Sequence, residues 1–320
     1  MSTELRTPAQ TAKLEALYER MLRIRLLEDA VHRLFLNNEI EGTTHLYQGQ
    51  EAVAVGVCDV LEPGDTVAAT YRGHGAALAL GTDQTRLLAE LLGREIGTNR
   101  GRGGSMNIVD LERGLIGCFG IVGGSIAAAT GAALAAQLSG DGSVAIAFFG
   151  DGAVNQAYFH ECLNFAGVRK LPVVYVCENN LYGEWSSMFH VTAGGQIALR
   201  ASAYGFPGVE ADGNDVLAVR ETAREVIGRA RTGEGPTLIE AKTYRHKGHS
   251  RVDPGKYRPK EEVETWLARD PLPRLAAQLD EAAVARISEQ VERELEESLQ
   301  AARSAAFPSP DPSASVTSET

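Results

Sequence analysis

Cysteine is scarce and scattered in this chain. There are four among 320 residues, Cys58, Cys118, Cys162 and Cys177, with no C-x-x-C pair and no histidine at zinc-ligand spacing. A disulfide framework and a zinc site are therefore excluded, and the thiols read as buried groups in a reducing compartment. The opening MSTELRTPAQ has neither the basic head and apolar core of a secretory signal nor the arginines of a transit peptide. No bulky hydrophobic run is long enough for a membrane span; the longest apolar stretch, Ile121 to Leu138, is mostly glycine, alanine and serine. Positive charge is short as well. Lys and Arg number 31 against 42 Asp and Glu, a formal charge of −11, which argues against a surface that tracks nucleic-acid phosphates. No internal repeat is present. The expectation is a cytoplasmic globular protein with neither membrane nor nucleic acid as a partner. Its 44% hydrophobic residues are ample for a buried core.

What is present is an α/β pattern. Leu14, Leu17, Tyr18, Met21, Leu22 and Leu26 recur at helical spacing within residues 11–38, so this segment reads as an amphipathic helix that needs a cover. Between Gly42 and Gly124, glycine-rich turns alternate with short helices, and GRGGSMN (101–107) reads as the loosest loop. Small residues from Ser125 to Ala136 predict a closely packed helix. Val144–Phe149 and Pro172–Cys177 are short continuous apolar runs, as expected of strands buried on both faces, with a helix between them from about Asn155 to Val168. A helix from about Asp215 to Arg231, capped by Asn214 or Asp215, leads into a further strand, PTLIEAKTY. That rhythm implies a parallel sheet flanked by helices, with N- and C-terminal helical extensions. The expected division is a helical arm over 1–40, an α/β domain over 41–258, a helical segment over 259–305 and a disordered Pro/Ser-rich tail over 306–320.

The segment that carries chemistry is GDGAVNQAYFHECLNFAGVRKLPVVYVCENNLYG, residues 150–183. Asp151 falls just past a buried parallel strand, where open α/β sheets place their ligands. Gly150 and Gly152 allow close backbone approach, and a helix starting at once would aim its free N–H groups at whatever Asp151 faces. The next strand ends near Glu178, so Asn179 and Asn180 emerge at the same edge. A carboxylate and an amide oxygen together suit a hard cation such as Mg²⁺, and a diphosphate can complete its octahedron. The bland alternative is a polar sheet rim without metal.

GDG, 26 intervening residues and NN resemble the thiamine diphosphate-binding motif. LYQGQEA, YRGHG, GRGGSMN, GIVGGSIAAATGAALA, LPVVYVCENNLYG and YRHKGHSRVDP extend the likeness over about residues 15–270. All are similar to the α subunits of pyruvate, acetoin and branched-chain 2-oxo acid dehydrogenases. The resemblance implies the thiamine diphosphate-binding fold, in its diphosphate-binding form, and a role for each matching position. Asp151, the Asn180 side chain and the Tyr182 carbonyl would bind Mg²⁺, and Gly152 and Ala153 would offer N–H groups to the diphosphate. Tyr71 and Arg72 would hold its outer oxygens, while Gly120 and Val122 would meet the aminopyrimidine. His249 matches an active-site histidine able to relay a proton, and His45 maps near the substrate. Ser250 matches a serine that mitochondrial relatives phosphorylate, here read as a loop residue. His246 reads as structural, and His32, His160 and His190 as unremarkable.

The same resemblance implies a reaction on a 2-oxo acid such as pyruvate, or on acetoin, with acyl transfer to a lipoyl-bearing acyltransferase component. It also implies a separate β subunit that supplies a glutamate for the pyrimidine ring, in a heterotetramer of two α and two β chains. Glu184-Trp185-Ser186 departs from the glycine-rich continuation of mitochondrial pyruvate enzymes. Two rival readings make opposite demands. A nicotinamide enzyme needs G-x-G-x-x-G, which the glycines after Val144–Phe149 do not supply. A catalytically silent assembly or regulatory paralogue would be marked by loss of Asp151, Asn180 or His249, and all three are present.

Overall fold

A computed structural model describes residues 7–309. The chain opens with helix α1 (Pro8–Leu36), started by a capping box in which the Thr7 hydroxyl accepts from the Gln10 N–H. There follow α2 (Glu51–Cys58), strand β1 (Thr66–Thr70), α3 (His74–Leu80), α4 (Gln84–Leu91), β2 (Leu115–Phe119) and α5 (Gly124–Ser139). The central units are β3 (Ala145–Gly150), α6 (Ala157–Arg169), β4 (Val173–Asn179), a small hairpin of β5 (Tyr182–Gly183) and β6 (Ser186–Ser187), and the single turn α7 (Met188–Val191). Last come β7 (Gly208–Asp212), α8 (Val216–Arg231), β8 (Thr237–Lys242), α9 (Lys260–Leu267), α10 (Pro271–Ala276) and α11 (Glu281–Ser304).

Six strands form one parallel sheet in the order β2-β1-β3-β4-β8-β7. The apolar runs explain its centre: β3 and β4 bury nearly every residue because helices cover both faces. On one face α5 and α6 pack with Phe149, Phe159 and Leu163. On the other, α1, α2, α3, α4, α8 and α11 share a single cluster with Ile146, Val174 and Ile239. The stripe of α1 is covered there, with α11 lying along it. Asp215 caps α8, its carboxylate accepting from the N–H groups of Leu217 and Ala218 at 2.9 and 3.1 Å. Cys58, Cys118 and Cys177 are buried free thiols, whereas Cys162 is half-buried. Among the described residues no helix is long and apolar enough to cross a membrane.

Two local expectations need correction. The helix after Asp151 does not start at once: a 3₁₀ turn over Asp151–Asn155 intervenes, Gln156 is extended, and α6 begins at Ala157. GRGGSMN is not loose, because Glu90, wholly buried, accepts from the backbone N–H groups of Asn99, Gly101, Gly103 and Gly104 at 2.7 to 3.1 Å. The loop is shaped like an anion cradle and holds the protein's own carboxylate. The segment after Pro259 is helical, as expected, in three pieces, with Asp270 capping α10 and Asp280 capping α11. Of the tail, residues 310–320 lie outside the described residues.

Candidate functional site

Register brings the chemistry together. Gly150 pairs with Glu178, and Asn179 with Lys242, so β3, β4 and β8 end side by side. Tyr71-Arg72 follow the end of β1, Gly120 follows β2, Asp151 follows β3, Asn180 follows β4, and Arg245 lies just past β8. All line one pocket of about 480 Å³ at the carboxyl edge of the sheet. The chain runs outward from β1 to β2 on one side and from β3 to β4 on the other, so the pocket lies at the switch point.

Asp151 is 1% exposed, and neither carboxylate oxygen has a hydrogen-bond partner. Burial lifts its pKa to about 6, against the pull of Arg245. Asn180 donates its Nδ2 to Gln50 Oε1 at 2.9 Å, which leaves its Oδ1 unpartnered as well. Three buried oxygens without donors are costly unless something positive meets them. Among the described residues no three His, Cys, Asp or Glu side chains converge as a metal cluster. A cation at Asp151 must therefore draw on amide, carbonyl and ligand oxygens, the set a hard ion prefers.

The β5–β6 hairpin closes this corner. Leu181 and Glu184 take positive φ values of 72° and 56°, an uncommon conformation that brackets Tyr182-Gly183. A Cβ on Gly152 would lie 3.0 Å from the Gly183 Cα, so glycine lets the two backbones meet here without either shifting. The Tyr182 carbonyl lies 3.5 Å from Arg245 Nη2, which also donates to the Glu184 carbonyl at 3.0 Å. Arg245 is 2% exposed and its Nε and Nη1 are unpartnered, so it presents free donors and a charge to the pocket. Ala153 is buried beside Gly152, while Gly120 and the partly exposed Val122 form another wall.

Arg72 is tied down. It donates to the Leu46 carbonyl at 2.6 Å and to the His249 carbonyl at 2.7 Å. His45, Tyr71 and His249 form a ring cluster with centroids 4.5 to 5.8 Å apart. Burial first, and then the positive charge of Arg72, push both imidazoles down to about 3. Their protonation therefore favours the unfolded chain: this contribution is complete above the ordinary 6.5 and drains away as pH falls toward 3. The thermal midpoint of a His45→Gln/His249→Gln variant should accordingly drop less than the parent's between about pH 7 and pH 5. Parallel curves for the two proteins would refute this.

Every residue expected at the site lines the pocket. Asn179, the neighbour of Asn180 that was given no role there, is instead buried in β4, donating to Glu240 at 2.7 Å. Arg245, Gln50 and Glu178 were missing from the sequence-based set. Burial raises Glu178 to about 7, partly offset by the hydroxyl of Tyr47, which donates to it. Arg245 carried a signal, since an arginine just past a predicted buried strand falls at the ligand edge. Gln50, far from any strand end, carried none.

The chain is similar to known proteins over most of its length. Residues 19–313 match the family described as dehydrogenase E1 component. The subunit alpha of acetoin:2,6-dichlorophenolindophenol oxidoreductase from Bacillus subtilis (strain 168) is 46% identical over 297 residues, 92% of this chain and 89% of that one. The pyruvate dehydrogenase E1 component subunit alpha of Porphyra purpurea is 41% identical over 95% of this chain and 91% of its own. That of Rhizobium meliloti (strain 1021) is 40% identical over 93% and 86%.

Proposed function

The chain belongs to the dehydrogenase E1 component family, as the alpha subunit of a pyruvate or acetoin dehydrogenase, and on that premise we propose that its pocket holds Mg²⁺ and thiamine diphosphate. One observation carries the proposal: the unpartnered, buried oxygens of Asp151 and Asn180 facing the same cavity. Asp151, Asn180 Oδ1 and the Tyr182 carbonyl take the metal. Gly152, Ala153, Tyr71, Arg72 and Arg245 take the diphosphate, for which a guanidinium with free donors is well suited. Gly120 and Val122 meet the pyrimidine end.

Thiamine diphosphate, when bound, supplies the carbanion chemistry that breaks the bond beside the substrate carbonyl. The chain's own residues orient and protonate. His249, held neutral by burial and by two nearby guanidiniums, has its proton affinity restored by an anion in the pocket; it then holds or moves a proton at the substrate oxygen. His45, stacked edge-on against it at 5.0 Å, fixes that ring and faces the substrate.

A partner completes the site. The pocket mouth carries Ile121 at 68% exposure and the half-exposed Val122 and Val191, an apolar rim that suits a β subunit. The assembly is taken to be two α and two β chains, passing its acyl unit to a lipoyl-bearing acyltransferase. Titration calorimetry of thiamine diphosphate with Mg²⁺ into the chain assembled with its β partner tests this, followed by dye-reduction assays with pyruvate and with acetoin. Tight, Mg²⁺-dependent binding and turnover of one substrate are expected, with no turnover by the isolated α chain. Absence of binding in a properly assembled complex would replace the proposal with an assembly subunit; decarboxylation by the α chain alone would overturn the need for a partner.

A further inference from the structure

The turn that carries His249 has a second face. His249 lines the large pocket, whereas His246, Lys247, Ser250 and Arg251 line a separate cavity of about 190 Å³, walled also by His32 from α1 and by Arg258. Lys247, Arg251 and Arg258 are basic side chains, and none of them forms an ion pair among the described residues. Two are held in place by neutral groups. Arg251 lies 2.9 Å over the Phe35 ring and donates to the Phe35 carbonyl at 3.3 Å. Arg258 donates to the Arg245 carbonyl at 2.6 Å, and its Nε is buried without a partner, as is His32 Nδ1.

One carboxylate, Asp253, also lines the cavity, and Asp270 lies near it; both are already engaged. Asp253 accepts from the His249 N–H at 2.6 Å, the Gly255 N–H at 2.8 Å and the Tyr257 hydroxyl at 2.8 Å. Asp270, 3.8 Å from His246, is paired with Arg25 at 2.9 Å. Three basic side chains against one carboxylate, which is already held by three donors, thus leave the lining of a small volume net positive in a chain of formal charge −11. The volume is below that of a typical organic-ligand pocket, and forked guanidinium donors select oxyanions.

We propose that this cavity binds a phosphate-sized oxyanion, which ties α1 to the turn over residues 246–253 and so fixes the backbone carrying His249. The residues are distinct from those given to the cofactor, so the proposal extends beyond that reading.

Inorganic phosphate is titrated into the assembled enzyme already saturated with thiamine diphosphate and Mg²⁺, so that the large pocket cannot take it. One phosphate per α chain is expected, weakened about ten-fold or more in Lys247→Met/Arg251→Met, the effect of losing charge-assisted hydrogen bonds. Backbone hydrogen exchange over residues 247–253 should slow when phosphate is present. Lys247→Gln alone, at an exposed position, must weaken binding in the same direction, which keeps the test decisive where the double variant does not fold. Should thiamine diphosphate itself fail to bind, comparing the parent with Lys247→Gln in its absence still reads this cavity, so the two failures are told apart. The proposal falls where phosphate binds only cofactor-free enzyme and competes with thiamine diphosphate, or binds Lys247→Gln as tightly as the parent.

Discussion

Asp151→Ala should abolish Mg²⁺-dependent binding of thiamine diphosphate in the assembled enzyme, weakening it by more than about 100-fold, or roughly 3 kcal/mol. Asp151 is the one carboxylate in the proposed metal set, and hard cations are held chiefly by such oxygens. The same substitution should have the opposite sign on the metal-free fold. The carboxylate is 1% exposed and no protein group hydrogen-bonds either of its oxygens. Removing it relieves a buried, unpaired charge at the expense of a small cavity, so the metal-free variant should be as stable as the parent or up to about 2 kcal/mol more stable. A structural residue would lose stability and function together. Calorimetric titration beside thermal melts in chelator separates the cases: unchanged affinity removes Asp151 from the metal site, and a large drop in the metal-free midpoint makes it a structural group.

Glu90→Ala should destabilise the chain by about 3–5 kcal/mol, the usual cost of breaking a fully desolvated charged network, and lower its thermal midpoint by on the order of 10 °C. Four backbone N–H groups converge on this carboxylate, and all of them lose their acceptor at once. Glu90→Gln keeps one acceptor oxygen but turns an amino group toward donors, so it should fall between the two. The loop leads to Met106, which lines the large pocket, so affinity for thiamine diphosphate should fall along with stability. A denaturant midpoint for Glu90→Ala equal to the parent's would show that the loop holds its shape without the carboxylate.

The strands were legible because their burial is total. Val144–Phe149 and Pro172–Cys177 read as apolar runs, and the structure buries both on two faces, so composition alone marked them. Helix starts with a side-chain cap, such as Asp215, were legible for the same local reason. The 3₁₀ turn after Asp151 was not, because Asp151–Asn155 has no distinctive residue pattern and is shaped by contact with the hairpin around Gly183. The Glu90 cradle was invisible for a different reason: it is built from backbone N–H groups, which every residue carries. At the site, residues immediately past a strand could be placed from the sequence, since the sheet edge positions them. Gln50, which orients Asn180 from a distant helix start, could be found only in three dimensions.

The contact between Arg72 and the His249 carbonyl joins points 177 residues apart in the chain. Because Arg245 and His249 follow the last strand of the sheet to be synthesised, a nascent chain emerging from the ribosome has no working pocket until nearly all of its α/β portion is out. A cofactor held there, as proposed, would bind only a finished sheet and stabilise that state by mass action.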